Sequence, residues 1–156
     1  MEKINHESPL DRFDRMMIEI LSTEGRLPVT DLARRVGLSK SPCQARLKRL
    51  RSEGYILGFR AVINQERLGR DHVAFTEVKL SDTTENALRA FNTAVLAMPE
   101  VEQCHMIAGR FDYLLKVRTN DIKAYRAFLA EKISRLPFIA NTSTYVSMQA
   151  VKETAA

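Results

Sequence analysis

The stretch LPVTDLARRVGLSKSPCQARLKRLRSEGYI, residues 27–56, decides the fold of the N-terminal part of the chain. Its apolar residues recur twice at intervals of three and four, which predicts two short helices. The first helix ends at Gly37, a residue that readily adopts the left-handed conformation of a helix C-terminus. The second begins after Ser39, which can cap it, and holds Pro42 in its first turn, where a missing N–H costs nothing. Two helices joined by a glycine-containing turn predict a helix-turn-helix.

The residues on either side of this stretch complete a small domain. Upstream, residues 10–21 carry an apolar stripe of helical spacing, whose N-terminal end is favoured by the acidic Asp11 and Asp14. Downstream, YILGFRAVI (55–63) alternates around a glycine, which indicates a wing or small hairpin. The N-terminal part is therefore expected to be a winged helix-turn-helix.

Positive charge is concentrated in the same part of the chain. The net charge of the whole protein is +5, whereas residues 26–60 carry nine Lys and Arg against only Asp31 and Glu53. A short segment that concentrates positive charge is typical of a surface that contacts nucleic acid. The alternative is an ordinary solvated basic face.

The second predicted helix has a polar side that suits DNA. When Cys43, Leu47 and Leu50 face the core, the opposite side presents small residues near the N-terminal end, a glutamine that can pair with adenine, and cations that suit phosphates. The predicted DNA-binding residues are Ser39, Lys40, Ser41, Gln44, Lys48, Arg49 and Arg51. The alternative is an amphipathic helix with a merely soluble face.

The chain is predicted to hold two domains. Residues 63–72 are mostly polar and break the pattern, which indicates a linker between a domain at 1–62 and one at 73–156. Beyond the linker the patterns follow the order strand, helix, strand, strand, helix, strand. This order predicts a ferredoxin-like βαββαβ domain, with two helices over one face of a four-stranded antiparallel sheet, and an α+β protein as a whole.

One face of the predicted sheet stays uncovered. The helices direct one set of apolar residues towards the sheet: Leu88, Phe91, Val95 and Met98 in the first helix, and Ile122, Tyr125, Leu129 and Leu136 in the second. Phe75, Leu114 and Tyr145 cannot all point inward, so the uncovered face is expected to carry apolar residues. An exposed apolar sheet face usually marks an association surface.

The remaining chemistry of the sequence points to a cytoplasmic protein without a cofactor. Cys43 and Cys104 each lie inside an apolar pattern, which predicts two buried, reduced thiols. The spacing of cysteine and histidine does not match a zinc site, so no metal is expected. The apolar runs are too short to span a bilayer, and residues 1–14 do not resemble a secretory signal, so no membrane partner is expected.

Three stretches together resemble the leucine-responsive regulator family, also called the Lrp/AsnC or feast/famine family. They are LDRFDRMMIEIL (10–21), GRLPVTDLARRVGLSKSPCQARLKRLRSEGYILGF (25–59), and GRFDYLLKV (109–117) followed by a helix and LPFIANTSTYV (136–146). The resemblance covers roughly residues 10–152. It implies an N-terminal winged helix-turn-helix for double-stranded DNA and a C-terminal domain that dimerises and senses amino acids. It also implies a homodimer that assembles further, often into an octamer.

The resemblance also implies a site for the effector. The ligand site of the family lies between dimers, around a glycine-x-x-aspartate turn that corresponds here to Gly109 and Asp112, with Thr142 and Thr144 as plausible further members. A free amino acid carries an ammonium and a carboxylate, so it needs an acidic acceptor and N–H or hydroxyl donors. The alternative for Asp112 is an aspartate that bonds its own turn. Arg110 is expected to be a solvated turn residue.

One position departs from the family pattern. The family often has proline and then glycine before the last strand, whereas this chain has Pro137 and Phe138. Because a phenylalanine takes a positive φ less easily than a glycine, the turn is expected to differ. The overall similarity favours the branch that resembles leucine- or proline-responsive regulators.

The expected function is a sequence-specific DNA-binding regulator of amino-acid metabolism, modulated by an amino acid such as leucine or proline. A ligand-independent architectural DNA-binding protein shares the predicted fold and is not separated from it by sequence. A small-molecule enzyme with a basic appendage is the third reading. It is disfavoured because the sequence lacks a nucleophile elbow, a phosphate-binding glycine loop, a metal cluster and paired carboxylates, so no catalytic residues are predicted.

Overall fold

The computed structural model describes residues 10–153, and the chain divides between Val62 and Ile63 into two compact units. Each unit is described by itself. The predicted domains also include residues 1–9 and 154–156, which lie outside the described residues. The predicted linker, 63–72, holds one turn of 3-10 helix at Glu66–Leu68, and its last residue already belongs to the first strand.

Three helices form the N-terminal unit: α1 (Arg12–Thr23), α2 (Val29–Val36) and α3 (Lys40–Ser52). Helix α1 begins at a capping box in which Asp11 and Asp14 each accept a hydrogen bond from the backbone N–H of the other. Helix α2 ends at Gly37, whose φ of 76° confirms the predicted left-handed end.

A small apolar core joins the three helices. Its buried side chains are Met17, Leu21, Leu32, Ala33, Val36, Cys43 and Leu50. The predicted core positions Cys43 and Leu50 are therefore confirmed, whereas Leu47 is half-buried. Ser39 occupies the position before α3, but its side chain makes no capping hydrogen bond.

The segment predicted as a wing or hairpin, residues 55–63, contains neither helix nor strand. Tyr55 and Ile56 pack against the core of the unit, whereas Leu57 and Val62 are almost fully exposed. The segment alternates between apolar and other residues as a strand would, but among the described residues it pairs with no strand. Of the two predicted forms, the hairpin is not formed in this segment, which is an extended loop after α3.

The C-terminal unit is a four-stranded antiparallel sheet with two helices. Its elements are β1 (His72–Leu80), α4 (Glu85–Leu96), β2 (Val101–Met106), β3 (Tyr113–Thr119), α5 (Ile122–Glu131) and β4 (Ile139–Val146). The strand order is β2-β3-β1-β4, so β1 pairs with both β3 and β4 near the centre of the sheet. The predicted βαββαβ order is confirmed.

The sheet has one face under the helices and one outer face. On the helix side, Ala74, Thr76 and Val78 of β1 are fully buried. On this side Phe91 of α4 packs against Tyr113 of β3, with 4.3 Å between ring centroids. The core side of α5 carries Tyr125 and Phe128, whereas the predicted core residue Ile122 is 55% exposed because it lies at the very start of the helix.

The outer face is only partly apolar. Phe75 and Tyr145 are exposed there, as the alternation predicted, and Leu114 is half-buried. The same face also carries Lys116 and Arg118, which ion-pair with carboxylates. Those carboxylates are Glu102 of β2 and Glu153 of the segment after β4.

Cys43 is buried as predicted, but Cys104 is exposed. Its strand, β2, pairs only with β3 and lies at the edge of the sheet. An edge strand has no second neighbour to cover it, so an apolar pattern there does not imply burial. The prediction of a buried thiol is wrong for Cys104.

The turn before β4 keeps a left-handed residue although it lacks glycine. Phe138 has a φ of 66°, the only positive φ of a residue other than glycine among the described residues. Its carbonyl accepts hydrogen bonds from the N–H and the hydroxyl of Ser81, at 2.7 and 3.2 Å. The turn was expected to differ because phenylalanine takes a positive φ less easily than glycine. Phe138 adopts a positive φ nonetheless, and this contact to the end of β1 holds the strained residue.

We predict that Phe138→Gly is more stable than Phe138→Ala by about 1 kcal/mol, because alanine keeps the left-handed strain and glycine does not. Both variants remove the same ring, so each serves as the control for the other. Urea unfolding of the two variants measures the difference. Equal stability, or a more stable alanine variant, would show that the positive φ carries no strain.

Candidate functional site

The outward side of α3 forms a continuous polar face. Ser41, Gln44, Lys48 and Arg51 follow one another at intervals of three or four residues and are all exposed. Within residues 10–153, no carboxylate lies within ion-pair distance of Lys48 or Arg51. Lys40 is likewise exposed and without an ion pair in that range, next to Ser39 at the N-terminal end of the helix. Six of the seven predicted residues thus share an accessible surface with unneutralised charge.

Arg49 does not belong to this face. Its Nη2 donates to Oδ2 of Asp14 at 2.5 Å, and Asp14 is only 1% exposed. Arg46, one turn earlier, donates to Oδ1 of Asp14 at 2.9 Å and pairs with Asp11 at 2.6 Å. These contacts place Arg49 on the flank of α3 that faces α1, away from the polar face that carries the other predicted residues. The sequence feature that could have revealed this contact is Asp14, a charged residue inside the apolar stripe of α1.

The carboxylate of Asp112 fastens the loop between β2 and β3 to the end of β1. It accepts the backbone N–H of Leu80 at 2.7 Å and Nζ of Lys79 at 3.1 Å. The backbone N–H of Asp112 donates to the carbonyl of Val78, and its carbonyl accepts a hydrogen bond from the N–H of Ile107. The side chain therefore bonds a neighbouring strand and not its own turn. The N–H of Leu80 lowers the pKa of Asp112, burial opposes this, and Lys79 lowers it further.

Gly109 is not required by the turn that contains it. It is not among the glycines with a positive φ, and a Cβ placed on it would meet only Cγ2 of Ile107, at an ordinary contact distance of 3.6 Å. Neither backbone conformation nor packing within the described residues calls for glycine at this position. Gly109 itself is exposed.

Arg110 is exposed but not simply solvated, contrary to the expectation from sequence. Its Nη2 donates to both carboxylate oxygens of Glu77, at 3.0 and 3.3 Å, and to the hydroxyl of Tyr145 at 3.3 Å. The hydroxyl of Tyr145 in turn donates to Glu77 at 3.4 Å. The turn thereby reaches over the outer face of the sheet.

An open, polar pocket of about 240 Å³ lies on the outer face beneath this turn. Its lining residues are Glu77, Lys79, Arg110, Phe111, Asn141, Ser143 and Tyr145. The pocket presents an anionic group, two cationic groups, and amide and hydroxyl groups that both donate and accept hydrogen bonds. Such a set can bind a small zwitterion at both of its charged ends.

Thr142 and Thr144 lie on the other side of the sheet from this pocket. Thr142 pairs with Val78 and Thr144 with Thr76, and both partners point into the helix-covered core. The hydroxyl of Thr144 hydrogen-bonds that of Tyr125 at 2.6 Å. The structure therefore does not bring these threonines together with Gly109 and Asp112. Their neighbours Asn141 and Ser143 line the pocket instead, one residue out of phase with the prediction.

The described residues contain neither a helix that could span a membrane nor a group of side chains that could hold a metal ion. No helix within residues 10–153 is long and apolar enough to cross a membrane. In the same range, no group of three His, Cys, Asp or Glu side chains is arranged to hold a metal ion.

We predict that Asp112→Asn makes the free energy of unfolding depend less on pH in the acid range. The folded-state pKa of Asp112 is depressed below its unfolded value of about 3.9, so its carboxylate stabilises the fold above that pH and the contribution is lost as the pH falls through the folded pKa. Urea unfolding between about pH 2 and pH 7 measures this. The variant is expected to be less stable at pH 7 and to lose less on acidification. Parallel curves for both proteins would contradict the role of this carboxylate.

Comparison with known proteins adds the following findings. Residues 73–156 match the family described as the Lrp/AsnC ligand binding domain, and residues 10–56 match the winged helix-turn-helix DNA-binding family. A proline dehydrogenase transcriptional activator from Rhizobium radiobacter is 67% identical over 145 residues, which is 93% of each chain. The leucine-responsive regulatory protein of Escherichia coli strain K12 is 42% identical over 92% of this chain and 88% of its own. A solved transcriptional regulator from Neisseria meningitidis, in complex with L-Met, is 29% identical with a TM-score of 0.88 over 94% of both chains.

Proposed function

Because the chain belongs to the Lrp/AsnC family of transcriptional regulators, we propose that it is a sequence-specific DNA-binding regulator of amino-acid metabolism that responds to an amino acid. Its family and relatives are regulators and not enzymes. The proposal places it in the cytoplasm, where it would meet its DNA. Leucine and proline are the first effectors to test, because the relatives include a proline dehydrogenase activator and a leucine-responsive regulator.

The observation that carries the DNA-binding part is the exposed polar face of α3. It begins with the small Ser41, continues with Gln44, and ends with Lys48 and Arg51. Small residues let a helix approach base edges, a glutamine can pair with adenine, and unpaired cations displace counterions from phosphates. The helix follows α2 after a short turn, the arrangement by which a helix-turn-helix places its second helix in the major groove. Proposed contacts are Ser39, Lys40, Ser41, Gln44, Lys48 and Arg51.

We predict that Gln44→Ala and Lys48→Ala weaken operator binding and leave the fold intact, because both side chains are exposed. Lys48→Ala should also reduce the slope of log affinity against log salt by about 0.9, the value for one phosphate contact. Gel-shift titrations on duplexes selected from a random pool measure both effects. Lys123→Ala, which removes an exposed cation of α5, is the control and should bind as the wild type does. Wild-type affinity in the α3 variants would exclude this face.

The pocket on the outer sheet face supports the amino-acid-responsive part. Arg110 and Lys79 can receive a carboxylate, and Glu77 can receive an ammonium. The pocket volume lies below the range of about 300–1,000 Å³ that is usual for drug-sized ligands, which suits a small metabolite. Asp112 does not line the pocket, but it is proposed to support it by holding the ammonium group of Lys79. Its carboxylate oxygens keep further lone pairs that a ligand can use.

The position of this pocket suggests how binding is coupled to DNA. It opens on the face that also exposes Phe75 and Tyr145, the surface expected to associate with further copies. We propose a homodimer that assembles further, up to an octamer, with the effector bound where copies meet. A ligand that favours one assembly changes how many α3 helices engage DNA at once.

We predict that at least one of the twenty amino acids raises the melting temperature of the full chain. A ligand at 100 times its dissociation constant stabilises the native state by about 2.7 kcal/mol. Arg110→Gln, Glu77→Gln and Asp112→Asn should each abolish the shift while effector-free DNA binding is retained. Light scattering on the hit follows assembly.

The control for these variants is Arg89→Gln, which breaks an exposed ion pair with Glu85 on α4 and leaves the pocket untouched. It should respond to the effector as the wild type does. A hit whose thermal shift survives in Arg110→Gln and Glu77→Gln would place the effector elsewhere. If no amino acid shifts the melting temperature, the architectural DNA-binding function is favoured.

A further inference from the structure

Helix α3 is held to its unit by a narrow apolar strip. Over its 13 residues only Cys43 and Leu50 are buried, with Leu47 half-buried. This strip fixes which side of α3 faces the core, but apolar burial is not directional and tolerates a small rotation of the helix about its axis. Directional contacts are needed to fix the rotation more finely.

The flank of α3 next to α1 carries directional contacts of the required kind. The buried carboxylate of Asp14 uses its two oxygens for two different arginines, Oδ1 for Arg46 and Oδ2 for Arg49, at 2.9 and 2.5 Å. These arginines lie one turn apart on α3, so one fixed group on α1 holds the helix at two levels. Asp11 adds a third contact to Arg46, and the ring of Phe13 lies 5.4 Å from the same guanidinium.

We propose that Asp14 is a positioning residue for DNA recognition, which fixes the rotation of α3 and withholds the guanidinium groups of Arg46 and Arg49 from DNA phosphates. The inference rests on the proposed function, in which the opposite side of the same helix contacts DNA. Each residue of a helix is turned by about 100° from the next, so a modest rotation would move Gln44 away from a base edge.

The charge balance follows from the same contacts. A buried carboxylate without partners is strongly destabilising, so Asp14 keeps its arginines as long as the unit is folded. Only cations that approach phosphates release counterions. Of the two adjacent cations at positions 48 and 49, Lys48 is therefore expected to contribute to the salt dependence of DNA binding, and Arg49 is not.

The first test is Asp14→Asn, which keeps the size of the side chain and removes its charge. Fluorescence anisotropy on a duplex selected from a random pool, and on a random-sequence duplex of equal length, gives the specificity ratio between 50 and 200 mM salt, the range over which phosphate contacts change affinity by roughly a thousandfold or more. The ratio is expected to fall at least tenfold, and the salt slope on random DNA to steepen by about 1 as Arg49 is released. An unchanged ratio and slope would overturn the inference. So would equal loss on both duplexes at an unchanged slope, since that indicates a merely structural role.

The second test compares Arg49→Gln with Lys48→Gln, adjacent substitutions that each remove one positive charge. Lys48→Gln should reduce the salt slope by about 0.9, and Arg49→Gln should leave it unchanged. An equal reduction in both overturns the inference but not the proposed DNA face. No reduction in Lys48→Gln overturns the proposed DNA face itself. If circular dichroism shows that Asp14→Asn does not fold, the salt slopes of this pair decide whether Arg49 is withheld from phosphates, and a specificity ratio that falls in Arg49→Gln but not in the control Lys123→Ala decides whether the contact positions α3.

Discussion

The register of β1 is the constraint on which the C-terminal unit depends. This strand pairs with β3 on one side and β4 on the other, and its side chains alternate between the two faces of the sheet. One phase of the alternation fills the core under the helices, and the other places Glu77 and Lys79 on the outer face. A shift of one residue would exchange the two sets, so the same pairing that builds the core also builds the pocket.

A comparable division of roles governs charge in the N-terminal unit. On α3, two neighbouring cations have different surroundings because their side chains point in different directions: Arg49 pairs with the buried Asp14, and Lys48 is exposed to solvent. Net charge alone does not separate them. The basic segment at 26–60 thus contains both charge that stabilises the unit and charge that remains available to a polyanion.

Much of the fold could be predicted because it rests on local periodicity, as at Gly37, Cys43 and Leu50. Several predictions failed because they depend on which strands lie next to each other, and the sequence of a single segment does not contain that information. The hairpin at 55–63 lacked a partner strand, and Cys104 lay on an edge. The phase of β4 was ambiguous because polar residues occupy both of its faces, so the sequence did not show that Asn141 and Ser143, and not Thr142 and Thr144, share the outer face with Glu77.

The contacts of Asp112 show how the proposed sensing could act through a structural residue. Its carboxylate already joins the loop before β3 to the end of β1 through Leu80 and Lys79. A ligand in the neighbouring pocket that draws on Lys79 or Arg110 would alter contacts that hold this loop. Since Ser81, just beyond β1, also holds the strained Phe138 before β4, the end of β1 connects the pocket to the start of the last strand. A ligand bound at the pocket, as proposed, would therefore act on the elements that set the shape of the outer face, where copies of the chain are proposed to meet.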